Sequence, residues 1–139
     1  SKTGDAEIFA RVGGSGPPLL LIHGFPQTHA MWHCMAPELM KGFTCVMPDL
    51  RGYGYSSCPP NDPRNYAYSK RAMAQDLVSL MAELGHSRFA VVGHDRGARV
   101  GYRMALDAPD AVSCLTVVDI VPTHAMWHNF TVKLAMKTY

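Results

Sequence analysis

The chain has 139 residues, 47% of them hydrophobic, with 12 glycines and 10 prolines, which describes one ordinary globular domain or a piece of one, long enough to bury a core. Thirteen Lys and Arg against eleven Asp and Glu leave a formal charge of +2, with no basic block, so composition gives no electrostatic case for nucleic acid or a membrane surface. Cys34, Cys45, Cys58 and Cys114 show neither C-x-x-C nor zinc spacing, and neither an apolar leader nor a run of 18 apolar residues is present; the expectation is a soluble, cytoplasmic protein with reduced thiols and no metal.

Short apolar runs alternate with helix-like stretches along the chain. "EIFARV" at residues 7–12 alternates and runs into "GGSGPP", which predicts a first strand and a hairpin turn. "LLLIHG" at residues 19–24 has no polar interruption, as in a strand covered on both faces. "APELMKG" places Pro37 in a first helical turn and Gly42 at a stop, before a strand in "FTCVMPDLRG". Ser69 is placed to cap a helix in which Met73, Leu77, Leu80, Met81 and Leu84 recur at helical spacing, and Gly85 suits its termination. "RFAVVG" then reads as a strand, "RGARVGYRMALDA" as a helix ended by Pro109, and "VSCLTVVDIV" as a last strand. Buried strands joined by helical crossovers predict an α/β fold, a mostly parallel, mixed sheet of about five strands with flanking helices.

The chemistry concentrates in Gly93-His94-Asp95-Arg96-Gly97, between a predicted strand and a predicted helix. That is the arrangement of a nucleophile elbow, G-x-Nu-x-G, with aspartate where serine usually stands. The glycines are needed because side chains two residues either side of the nucleophile would strike neighbouring backbone. A carboxylate nucleophile suits displacement at saturated carbon, since the alkyl ester it forms has its own carbonyl for water to attack. "HGFPQ" at residues 23–27, "DLRGYGYSS" at 49–57 and Asp119 each follow another predicted strand, so all four turns should open on one sheet edge. Taken singly, His23 reads as a satisfied core histidine, Asp49 as the tie of a turn and Asp119 as a cap.

"HGFPQTHAMW", "PDLRGYGYSS", "VVGHDRGARVGYRMALDAPD" and "VVDIVPT" resemble the N-terminal half of the α/β-hydrolase-fold haloacetate dehalogenases, those acting on fluoroacetate in particular. The resemblance implies that residues 1–121 form the first half of the core domain and residues 122–139 begin a helical cap. It implies Asp95 as nucleophile, Asp119 as the acid that orients a catalytic histidine, and the backbone N–H groups of Phe25 and Arg96 as the oxyanion hole. Arg96 and Arg99 would hold the carboxylate of a 2-haloacid, and no cofactor is implied. Two guanidiniums grip a carboxylate by charge-assisted bonds and offset its repulsion from the nucleophile; an epoxide or a simple alkyl halide needs neither. Trp32 and Trp127 are candidates to line the pocket, although large aromatics more often fill cores.

In that family the histidine lies well beyond the acid, hence beyond Tyr139, and the histidines present offer no good substitute. His94 is expected to point away from the site, and His124 and His128 fall in the cap entry. The chain therefore reads as an N-terminal fragment. The rival readings are an epoxide hydrolase of the same fold and a non-catalytic fragment that assembles as an oligomer. A last strand without neighbours would leave an apolar edge, so a homo-oligomer is expected, through that edge or by exchange of residues 122–139.

Overall fold

A two-residue antiparallel pair, β1 (Lys2–Thr3) and β2 (Ala6–Glu7), precedes β3 (Ala10–Gly13) in the computed structural model, which describes residues 2, 3 and 5–128. The single strand expected over residues 7–12 is broken at Ile8 and Phe9. The Phe9 N–H donates to the Ser56 hydroxyl and the Phe9 carbonyl accepts from the Asp49 N–H, both at 2.9 Å, so a loop takes the groups that a ladder would have used. The hairpin expected between β3 and β4 (Pro18–Ile22) does not form. β5 (Thr44–Pro48) lies between them, antiparallel to β3 and parallel to β4. Gly14 and Gly16, at φ +84° and +137°, let the turn cross the segment leading into β5 so closely that a Cβ would stand 2.2 Å from the Phe43 carbonyl oxygen and 2.4 Å from that of Gly42.

A 3₁₀ turn at His29–Trp32 leads to the short helix α1 (Ala36–Leu39), with Pro37 in its first turn as expected. α2 (Lys70–Glu83) starts where the Ser69 hydroxyl accepts from the Ala72 N–H. It stops at Gly85 (φ +84°), where the Gly85 and His86 N–H groups donate to the carbonyls of Ala82 and Met81, the paired bonds that close a helix on a left-handed residue. Met73, Leu77, Leu80 and Met81 are buried, whereas Leu84, placed on the same stripe by its spacing, is exposed. β6 (Phe89–His94), α3 (Arg96–Asp107), β7 (Val112–Val118) and α4 (Thr123–His128) follow. Residues 129–139, the rest of the expected cap entry, lie outside the described residues.

The five-stranded sheet has the order β3-β5-β4-β6-β7, with β3 alone antiparallel. Alternation along β4 feeds two cores. Leu20 and Ile22 join Val46, Leu77, Met81, Val91, Val100 and Met104, while Leu19 and Leu21 join Trp32, Ala36, Cys45 and Met47. Each fully buried aliphatic side chain contributes about 1.5–3 kcal/mol, which anchors β4 as the central strand. Arg51, itself buried, ties the loop after β5 to α2 through two bonds to Asp76, at 2.6 and 2.7 Å, and donates to the Ala67 carbonyl at 2.7 Å. β7 departs from the expectation of a buried strand: among its residues Val112 and Leu115 pack against the described core, whereas Val117 and Val118 are exposed, as is Val121 beyond its end. Its outer edge pairs with no strand among the described residues.

Candidate active site

β4, β5, β6 and β7 run parallel, so the four turns singled out in the sequence open on one edge, where α/β sheets bind ligands. The turn after β6 is the sharpest. Asp95 has φ +49° and ψ −117°, a conformation that costs a non-glycine residue about 1–3 kcal/mol and persists only where its surroundings impose it. Those surroundings are steric. A Cβ at Gly93 would lie 2.6 Å from the Ala98 Cα and from the Gly97 carbonyl oxygen; one at Gly97 would lie 2.3 Å from the His23 carbonyl oxygen. The elbow is therefore packed main chain against main chain, with Asp95 at its apex.

Asp95 is the N-cap residue of α3, yet its carboxylate makes no capping bond to the helix. Instead Oδ1 accepts from the Phe25 N–H at 2.9 Å. Oδ2 has no hydrogen-bond partner among the described residues, and neither does the Arg96 N–H expected beside that of Phe25. The Phe25 N–H thus meets the carboxylate directly, while the Arg96 N–H stands at the first turn of α3. Beneath this loop the Gly24 main chain is wedged between two side chains: a Cβ there would be 2.7 Å from the Asp95 Cβ and 3.0 Å from the His94 Nδ1.

The arginines flank the elbow differently. The Arg96 guanidinium lies over the Phe25 ring, 4.5 Å from its centroid, a cation–π contact. Arg99 Nη2 is 2.8 Å from Met126 Sδ on α4, and its buried Nε has no partner among the described residues. Arg99 opens on a cavity of about 130 Å³ whose other walls include Ala98, Tyr102, Val117, Ile120 and Val121. A larger cavity, about 610 Å³, lies between α2 and α3, but its charges are already paired, Arg51 with Asp76 and Arg71 with Asp107, and the elbow is not part of its wall. Asp119 follows β7 directly, at φ +53°, with an exposed side chain whose Oδ2 is 3.8 Å from the His94 Nε2.

Three expectations are settled by geometry. His23 is a satisfied core histidine: Nδ1 donates to the Gly24 carbonyl at 2.8 Å, Nε2 accepts from the Leu50 N–H at 3.0 Å, and burial holds the ring below its usual 6.5. Asp49 ties a turn. Burial pushes its carboxyl up, but the N–H groups of His29 and Tyr55 and the His29 ring outweigh that and hold it below the usual 3.8. Trp32 is core rather than pocket, 3% exposed among Leu19, Leu21 and Met47, because its turn folds down onto the face of β4 and β5. The Trp127 side chain lies outside the described part of the structure.

Sequence reading missed Lys70 and misjudged His94. Lys70 opens α2, and burial, then the charges of Arg96 and Arg99, hold its ammonium below the usual range while Asp95 acts in the opposite sense. The signal was there to read, since a cation in the first turn of a helix opposes the helix dipole. His94 does not point away: its ring faces Gln27 and Asp119.

A family profile described as the alpha/beta hydrolase fold matches residues 17–138. The chain is 56% identical over 126 residues to a fluoroacetate dehalogenase of Burkholderia sp, covering 91% of this chain and 41% of that protein. It is 40% identical over 109 residues to a soluble epoxide hydrolase of Corynebacterium sp. (strain C12), covering 78% and 36%. A crystal structure of a protein from Nostoc sp PCC 7120 superposes with a TM-score of 0.97 at 52% identity, over 100% of this chain and 48% of that one. The chain spans less than half the length of each of these relatives. Among the described residues no helix is long and apolar enough to cross a membrane.

Proposed function

The chain belongs to the alpha/beta hydrolase fold family, and from that premise we propose that it is the nucleophile-bearing part of a hydrolytic dehalogenase of 2-haloacids, haloacetate foremost. The carrying observation is the Asp95 carboxylate, turned away from its own helix, with Oδ1 on the Phe25 N–H and Oδ2 without a hydrogen bond among the described residues. Oδ2 attacks the halogen-bearing carbon, the carbon–halogen bond breaks, and the halide leaves with the electron pair. The product is an alkyl ester of Asp95 whose carbonyl oxygen is Oδ1, already facing a main-chain donor. Water attack on that carbonyl then releases the 2-hydroxyacid and regenerates the carboxylate. Charge developing on Oδ1 in this second step is what an oxyanion-hole donor stabilises. Water activation falls to a histidine oriented by Asp119, which the family resemblance puts further along the polypeptide.

Arg96 and Arg99 favour a carboxylate-bearing substrate over an epoxide, which would form the same kind of ester without needing either guanidinium. Arg99 carries most of this preference, since its Nε is buried and without a partner among the described residues beside a small cavity, and an unsatisfied charged donor is costly unless a ligand completes it. The likeness to an epoxide hydrolase makes the epoxide the competing substrate class. The test is to incubate the chain separately with bromoacetate and with a simple epoxide such as styrene oxide and weigh the protein. A carboxymethyl adduct with the first reagent, slowed at least tenfold by Arg99→Lys, is expected; an adduct with the epoxide alone would move the reading to epoxide hydrolysis.

A further inference from the structure

The elbow grips the loop that supplies its oxyanion donor. Gln27 Oε1 accepts from the Gly24 N–H at 3.3 Å, which fixes which end of the amide faces inward. The same oxygen is 3.1 Å from the His94 Nδ1. A carbonyl oxygen only accepts, so Nδ1 must be the protonated, donating nitrogen. Gly24 is followed by Phe25, whose N–H meets Asp95, and the Gly24 main chain fits between the Asp95 and His94 side chains with no room for a Cβ. Two successive elbow residues therefore hold the loop from both sides, Asp95 through Phe25 and His94 through Gln27. The other ring nitrogen of His94 is 3.8 Å from Asp119 Oδ2, too far for a hydrogen bond, so the bond to Gln27 is what the ring contributes to the loop.

We infer that His94 is a positioning residue: its Nδ1–H, acting through Gln27, keeps the Phe25 N–H aimed at Asp95 Oδ1. The functional meaning rests on Asp95 as nucleophile, but the positioning itself is measurable without substrate. The experiment reads amide proton exchange at Gly24 and Phe25 by NMR in the unaltered chain and in His94→Leu, His94→Asn, Gln27→Leu and Gln27→Glu. Loss of one neutral hydrogen bond should speed Phe25 exchange about fivefold to tenfold in His94→Leu and Gln27→Leu. His94→Asn, whose amide N–H₂ takes the place of Nδ1, and Gln27→Glu, which keeps an acceptor, should stay within about twofold of the unaltered chain on the same ground. The two Gln27 variants approach the bond from a half-buried loop position, so they serve if His94→Leu does not fold. Unchanged Phe25 exchange in His94→Leu and Gln27→Leu overturns the inference, and so does His94→Asn exchanging as fast as His94→Leu, which would reduce the ring to a space filler. Failure of Asp95 to form an adduct would instead sink the nucleophile reading and leave this one standing.

Discussion

Gly97→Ala tests the steric basis of the elbow. The added carbon would stand 2.3 Å from the His23 carbonyl oxygen and 2.4 Å from that of Ile22, whereas real Cβ atoms keep at least 3.0 Å. Both obstacles are main-chain atoms at the end of the central strand, so neither can swing aside as a side chain would. α3 must back away from β4 instead, opening the contacts that Val100 and Met104 make in the core. Overpacking of this kind costs about 1–3 kcal/mol, and a main-chain clash belongs at the upper end. With a urea dependence of about 1–3 kcal/mol per molar, a cost of about 3 kcal/mol should lower the unfolding midpoint by about 1–3 M. Gly42→Ala is the control: nothing lies within 4 Å of its added carbon and its φ is ordinary, so it should be neutral or stabilise by about 0.4–1 kcal/mol. Urea titrations followed by circular dichroism read both. Equal midpoints for Gly97→Ala and the unaltered chain would refute the close-packed elbow.

His23 is held neutral, with its folded-state pKa below 6.5, while the unfolded chain takes up that proton near about 6.5. Its contribution to stability is therefore complete above about pH 6.5 and is lost as the pH falls through the folded value; urea midpoints should drop on acidification, and drop less in His23→Gln, equal drops being the contrary result. Asp76→Asn takes away the buried carboxylate partner of Arg51 and leaves its charge only the exposed Asp5 carboxylate at 3.1 Å; it should cost up to about 3 kcal/mol, most of it recovered when Arg51→Met is combined with Asp76→Leu, and a double variant as unstable as the single one would contradict this. The exposed outer edge of β7 should make the 139-residue chain self-associate, and Val118→Lys, a charge on an edge strand, should shift it toward monomer. A monodisperse monomer of the unaltered chain by light scattering would count against that proposal.

Local steric and capping rules carried the sequence reading furthest. Ser69 and Gly85 bounded α2 correctly because their capping bonds lie within a few residues, and the G-x-Nu-x-G spacing placed Asp95 at the apex of the elbow, although the carbonyls that Gly97 must clear belong to Ile22 and His23. Partners distant in sequence were beyond it. "GGSGPP" looks the same whether the next strand lies alongside β3 or one strand away, and the answer depends on Met40–Phe43 passing beneath the turn. His94 was expected to point away from the site; burial alternates along β6, and that the His94 face meets Gln27 and Asp119 follows from how two other loops fold over it. Trp32 was ambiguous for the same reason. An aromatic in a loop reveals nothing of whether the loop folds inward.

The central claim is that Asp95 is a carboxylate nucleophile, and peptide mass spectrometry after exposure to bromoacetate tests it most directly. Cys34, Cys45, Cys58 and Cys114 are all free and thiolates react with the same reagent, so each must be mapped separately from Asp95. A carboxymethyl ester on Asp95 that is absent in Asp95→Asn, and that releases glycolate when the ester is hydrolysed, is the predicted result. Carboxymethylation confined to cysteines, at the same rate in Asp95→Asn, would contradict it.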